Sequence, residues 1–218
     1  MRNYALVVLL VFSVLLIPHL VSAQIFKADQ WSLQVNGGLS QPMGELANWF
    51  KPAYNVTGGF TRGISERFAA EMRVHYMSFN KEGDGGGTKY KMPSTLALNF
   101  SSVGLTCNAL YNLSLSSKTK PYITAGAGLY RWNSSRGGGT YKVGTSSTTI
   151  LAKRRNDFSY GLNGGIGIAI AAGSKACIDI NARWEGIITQ LYPALYLGLE
   201  KVQPVATIGI NAGIRFIL

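Results

Sequence analysis

Between Asp157 and Ile187 apolar side chains recur at every second position, first as Phe158, Tyr160, Leu162, Ile166, Ile168 and Ile170, then, after Ala172-Gly173-Ser174, as Ala176, Ile178, Ile180, Ala182 and Trp184. Ser159, Asn163 and glycines fill the gaps in the first half, and Cys177, Asp179, Asn181, Arg183 and Glu185 fill them in the second. A period of two sends successive side chains to opposite faces of a strand, so this stretch predicts two strands joined by a tight turn. One face meets oil and the other tolerates an aspartate, an arginine and a glutamate. A soluble sandwich would bury the oily face against a second sheet, whereas a membrane barrel would turn it toward lipid and keep the polar face inside.

The same alternation predicts six more strands. The first runs over Gln30–Ser40, with Trp31, Leu33, Val35 and Leu39 on one face. The second, Tyr54–Ile64, and the third, Arg67–Phe79, are separated by Ser65-Glu66; in the third, Phe68, Ala70, Met72, Val74 and Tyr76 oppose Glu71, Arg73, His75 and Met77. The fourth begins between Thr95 and Val103 and ends near Leu115, and the fifth spans Pro121–Trp132. The last, Pro204–Leu218, sets Ala206, Ile208, Ile210, Ala212, Ile214 and Phe216 against Thr207, Gly209, Asn211, Gly213 and Arg215. The connections between these strands alternate long and short. Polar loops are expected over Pro42–Pro52, from Asn80 to about Ser94, over Asn133–Asn156 and from about Ile188 to Gln203. Within the third, Thr148–Ala152 is a candidate extension of the flanking strands. A sandwich has no reason to sort its loops by parity, but a closed meander puts every short turn at one rim and every long loop at the other. The expected fold is therefore all-β, an eight-stranded antiparallel up-and-down transmembrane β-barrel, with both termini periplasmic and the long loops extracellular.

The bulk properties agree. No apolar run of the roughly 20 residues a membrane helix requires occurs after residue 30, and the mean hydropathy is only slightly positive, as expected when every second strand residue meets lipid. The start is different in kind. Met1-Arg2-Asn3 is followed by an almost unbroken apolar run, Tyr4–Leu20, and by the small residues Val21-Ser22-Ala23. This reads as a signal peptide over residues 1–23, leaving a single barrel domain over 24–218; a membrane anchor is the alternative. By parity Cys107 faces outward and Cys177 inward, so free thiols are expected rather than a disulfide. Tyr122, Tyr130, Trp132, Trp184, Tyr192 and Tyr196 are candidates for aromatic belts at the membrane interfaces.

Lys120-Pro121-Tyr122-Ile123-Thr124-Ala125-Gly126-Ala127-Gly128-Leu129-Tyr130 resembles the Pro-Tyr-x-x-x-Gly-x-Gly strand of the outer-membrane protein beta-barrel domain, the family of small barrels of the OmpA and OmpX type. Asp157–Glu185 resembles that family's next hairpin, and Gly209–Phe216 its closing strand. The resemblance implies a Gram-negative outer membrane and recognition of the last strand by the barrel-assembly machinery. The chain departs from the family in ending on Leu218 where an aromatic is usual, with Phe216 keeping the parity. No peptidoglycan-gripping domain is expected after the barrel.

Inward parity collects Glu71, Arg73, His75, Asp179, Arg183 and Glu185. They read either as a paired network filling the lumen or as the lining of a narrow ion path or gate. The chain carries a net charge of +11. Arg136, Lys142, Lys153, Arg154 and Arg155 in the third long loop, with Lys51, Lys81, Lys89 and Lys91 elsewhere, form the accessible basic set. That set suits a surface facing anionic lipopolysaccharide or an extracellular polyanion or protein ligand. With His75 the only histidine after cleavage, no metal site, cofactor or catalytic residue is expected, and Asp84 lacks the further carboxylates calcium needs. Export argues against nucleic acid. A non-enzymatic monomer with a structural or surface-contact role is expected; a porin-like narrow channel and a lipid-modifying enzyme are the alternatives.

Overall fold

The computed structural model describes residues 27–48, 50–80, 97–114, 119–143, 146–190 and 202–218. Its strands are β1 (Trp31–Pro42), β2 (Ala53–Gly63), β3 (Phe68–Asn80), β4 (Leu98–Asn112), β5 (Thr119–Arg136), β6 (Gly139–Val143), β7 (Ser146–Ile150), β8 (Lys153–Ala171), β9 (Ala176–Gln190) and β10 (Val202–Ile217). All but β6 and β7 form one closed barrel, in which each strand lies antiparallel to its neighbours along the chain. Closure is made by β1 against β10, from Ser32 opposite Ile217 to Pro42 opposite Thr207. That seam removes the edge on which unpaired N–H and C=O groups would otherwise face a solvent unable to satisfy them. Two of the short connections are tight. Ile64 and Ser65 both donate backbone hydrogen bonds to the Phe68 carbonyl, and Ala172 donates to that of Ala176.

Parity decides every wall position. Leu33, Val35, Val56, Met72, Val74, Leu105, Leu129, Leu162, Ile166, Ile210 and Ile214 are exposed on the outside, and Ser32, Gln34, Asn36, Glu71, Thr106, Asn108, Asp179 and Arg183 are buried inside. Cys107 is exposed and Cys177 buried, and both are free thiols. The signal peptide expected at residues 1–23, together with Lys81, Asp84, Lys89, Lys91, Tyr192 and Tyr196, lies outside the described residues.

Two expectations are corrected. Tyr122, Tyr130 and Trp132 do not belong to an aromatic belt; they are buried in the lumen. Their even numbers on β5 put them on the same side as Thr124, and an eight-stranded wall leaves room for large side chains inside. The exposed aromatics are instead Trp31, Phe60, Phe68 and Phe216 near the short-turn rim, and Tyr54, Tyr76, Phe158, Tyr160 and Trp184 toward the other. Trp31 stacks on Phe60 with centroids 4.8 Å apart, and Phe68 packs on Tyr111 at 4.9 Å.

The second correction concerns Asn133–Asn156, which is not a loop. β5 and β8 stay paired to Arg136 opposite Lys153, and β6 and β7 continue in the same registration from Gly139 opposite Ile150 to Val143 opposite Ser146. Among the described residues only Gly137-Gly138 and Leu151-Ala152 interrupt this ribbon. There Arg136 Nη2 donates to the Leu151 carbonyl at 3.1 Å, and Gly137 N to that of Ala97 at 2.8 Å. Serine and threonine hid the alternation, because neither face of the ribbon is oily. The first long connection also has structure: a 3-10 turn over Gly44–Asn48, entered through Gly44 at a φ of 59°, lowers Leu46 and Phe50 into the barrel mouth.

Inward glycines make the room the aromatics occupy. Gly104 lies opposite His75 on β3 and opposite Tyr130 on β5. A Cβ built on it would stand 2.7 Å from Tyr130 Cε1 and would clash with His75 as well. Gly104→Val is expected to cost about 1–3 kcal/mol by overpacking, while Ala125→Val, on the exposed face of the next strand, should be close to neutral. Urea unfolding of the refolded barrel, followed by tryptophan fluorescence, checks the contrast.

Candidate functional site

The lumen is layered. Toward the short-turn rim Ala69, Leu110, Tyr122, Ala169, Cys177 and Ile217 form a buried apolar cluster. Toward the long-connection rim a larger one joins Leu46, Phe50, Met77, Phe79, Leu98, Phe100, Tyr130, Trp132, Ile187 and Val205. Between them lies the charged layer. All six inward residues expected from the sequence are there: Glu71, Arg73, His75, Asp179, Arg183 and Glu185 are each buried.

Strand order sets which of them meet. β3 and β9 lie half the circumference apart in the barrel, so Glu71 on β3 and Arg183 on β9 reach each other across the lumen. Arg183 Nη2 donates to Glu71 Oε1 at 2.8 Å. Asn108 Nδ2 donates to the same oxygen at 3.1 Å, and Gln34 Nε2 to Oε2 at 2.7 Å. One step toward the long-connection rim, Glu185 on β9 lies 3.4 Å from Arg73 Nη1 and 3.2 Å from His75 Nε2, both on β3. These two contacts are ionic in distance but not aligned as hydrogen bonds. A cavity of about 10 Å³, the room of one water molecule, borders Arg73, His75, Glu185, Asn55 and Asn211.

Asp179 completes the set with partners that sequence reasoning did not assign to it. Tyr122 donates its hydroxyl to the carboxylate at 3.0 Å, Asn181 Nδ2 donates at 2.7 Å, and Arg215 Nη2 donates at 2.9 Å. Arg215 also donates to Gln34 Oε1, which links this group to the Glu71 pair. A signal for Arg215 was present in the sequence. The expected inward set held three carboxylates, Glu71, Asp179 and Glu185, but only two guanidiniums, Arg73 and Arg183. A buried uncompensated charge costs several kcal/mol, so a third cation was owed, and Arg215 already stood on the inner parity of the last strand.

The basic set expected at the long-connection rim is divided by the ribbon. Arg136, Lys153 and Arg155 follow the parity of Ser134 and Trp132, on the side toward the barrel axis. Arg155 lies 3.5 Å from Asp157 and over the Trp132 ring at 5.9 Å. Arg154 takes the opposite face and donates through Nε to Asn133 Oδ1 at 3.2 Å. Lys142 is on β6.

The architecture has counterparts among known proteins. A family model described as outer membrane protein beta-barrel domain matches residues 8–216. The chain belongs to that family. It is thus a barrel of the bacterial outer membrane, and its exposed apolar face is the lipid face. Among solved structures, Neisserial surface protein A is 18% identical with a TM-score of 0.54, over 85% of this chain and 96% of that one. OprG of Pseudomonas aeruginosa is 13% identical with a TM-score of 0.53, over 90% and 99%. Ail, the attachment invasion locus protein of Yersinia pestis, in complex with the heparin analogue sucrose octasulfate, is 10% identical with a TM-score of 0.50, over 87% and 99%. At these identities the likeness is one of fold. No curated protein matches the chain in sequence.

Removing one partner of the central bridge should be far worse than removing both. Arg183→Met leaves Glu71 without its cation, with an expected loss on the order of 3–5 kcal/mol. The Glu71→Leu/Arg183→Met double variant should fall well short of the sum of the single losses. Urea unfolding in detergent, run as a double-mutant cycle, measures the coupling.

Proposed function

We propose that this chain is a non-enzymatic, non-conducting outer-membrane barrel that acts through the surface at its long-connection rim, where a basic β-ribbon contacts polyanions. In this reading residues 1–23 are removed on export, both termini face the periplasm and the long connections face outward. The observation that carries it is the ribbon itself. β5–β8 and β6–β7 prolong one hairpin of the wall in a single registration, with Arg136, Lys153 and Arg155 on the same face at its base. From Arg131 to Val143 it runs roughly 40 Å along the chain at about 3.3 Å per residue. Such a ribbon is stiffer than a loop, so it presents its cations at a smaller cost in ordering on binding. The structure of Ail in complex with a heparin analogue supports polyanion binding by this fold.

The layered lumen supports the absence of conduction. Charged residues that line a pore face water, but here they are paired to one another between two apolar layers. In planar bilayers of the refolded protein the expected current in molar KCl is that of lipid alone. Discrete channel openings would favour the narrow-channel alternative.

Binding is tested with sucrose octasulfate titrated calorimetrically into the refolded barrel. Saturable binding that weakens as salt is raised is expected. An Arg136→Ala/Lys153→Ala/Arg155→Ala variant should lose about tenfold or more in affinity, at roughly 0.5–1 kcal/mol per exposed charge. No heat of binding from the unaltered protein would end this reading.

A further inference from the structure

Arg131 and Arg154 are absorbed neither by the lumen nor by the inner face of the ribbon. Both point to the outside of the wall, and they line one groove of about 280 Å³ together with Tyr76, Ser101, Val103 and Asn133. Its height on the barrel follows from the outward residues of four neighbouring strands. Toward the long-connection rim, Tyr76 gives way to Ser78 on β3, Val103 to Ser101 on β4, Leu129 to Arg131 on β5, and Phe158 to Asn156 on β8. The groove therefore straddles the edge of the apolar band, where hydrocarbon ends and lipid headgroups begin.

Its chemistry is that of an anion site. Among the described residues no carboxylate lines it. Arg131 lies over the Phe158 ring, 5.8 Å from its centroid, which fixes the guanidinium against the wall. Among the described residues Arg154 is held by Asn133 through Nε, so its bond to the wall does not use the terminal nitrogens. Two oriented guanidiniums suit the oxygens of a phosphate monoester, because each can donate two parallel hydrogen bonds. A phosphate at this depth belongs to a lipid whose chains continue down the wall beside Val103, Leu129 and Tyr160. We infer that this groove binds the phosphorylated headgroup of an anionic glycolipid of the outer leaflet. The leaflet, though not the chemistry, rests on the orientation given under the proposed function.

The test uses the full mature barrel in phosphatidylcholine nanodiscs in which about one lipid in ten is bisphosphorylated lipid A. Native mass spectrometry counts the lipid A retained as the complex is stripped. The unaltered protein is expected to hold it in preference to the same lipid lacking its phosphates. Arg131→Gln and Arg154→Gln are each expected to weaken retention about fivefold, as for one cation removed from an anionic membrane surface, and the double variant more than tenfold. Arg131→Lys should recover part of the loss. Should Arg131→Gln fail to fold, Arg154→Gln carries the comparison alone. Equal retention by the double variant, or of the phosphate-free lipid by the unaltered protein, would overturn the site. Displacement of lipid A by millimolar inorganic phosphate would assign the groove to a soluble anion instead. Lipid A occupies both faces of the nanodisc, so the outcome is independent of which rim faces outward. Orientation is read separately, by labelling Ser147→Cys on whole cells with an impermeant maleimide, and sucrose octasulfate binding tests the ribbon.

Discussion

A backbone in hydrocarbon has no water to pair with, and this constraint fixes the wall. Each strand must find partners on both sides, so the sheet has to return to its start, and β1 meets β10 along almost all of β1, from Ser32 opposite Ile217 to Pro42 opposite Thr207. Eight strands closed in this way leave an interior about as wide as its own side chains. The inner face therefore cannot be chosen residue by residue. Where Tyr122 or Tyr130 enters the lumen, the neighbouring strand supplies a glycine, Gly167 in one case and Gly104 in the other. The glycine-rich look of the barrel strands is the counterpart of its large inward residues and not a sign of looseness.

The same narrowness explains why charges can be kept inside. A guanidinium and a carboxylate taken from water lose several kcal/mol each, and only short, well-directed contacts recover it. The lumen brings β3 within side-chain reach of β9, so Glu71 and Arg183 meet at 2.8 Å from opposite walls. The apolar layers on either side then exclude the water that would weaken the attraction. The inward ion pairs thereby hold opposite sides of the wall to one another.

Parity carried most of the fold, because in a barrel with oil outside and polar groups inside each residue number already names a face. Gln34, Glu71 and Arg183 could be placed inward, and Val35 and Met72 outward, before any strand was paired. What parity does not carry is height. It could not say that Phe79, Phe100 and Trp132 share one level with Leu46 and Phe50 from a connection, since that depends on the stagger between strands. It also fails where both faces are wet, which is why the ribbon beyond Asn133 read as a loop. Treating Tyr122, Tyr130 and Trp132 as belt residues set aside their own parity in favour of residue type. The inward set was incomplete for a different reason: Arg215 was placed on the right face, but the charges were not balanced.

Alternation alone leaves one ambiguity in register, and the ion pairs remove it. A slip of one residue between neighbouring strands would turn β10 inside out, exposing Arg215 to lipid and burying Ile214, so burial alone forbids it. A slip of two restores every side chain to its proper face, and oil and water cannot tell the result from the native barrel. It would, however, carry Arg183 about 7 Å along its strand, beyond reach of a carboxylate it now meets at 2.8 Å. It would likewise separate Arg215 from Asp179. Two uncompensated buried charges outweigh whatever backbone pairing the slipped sheet retains. The bridges across the lumen thus supply what the backbone ladder lacks, a reference between walls that share no backbone hydrogen bond, and they select a single stagger among those that parity allows.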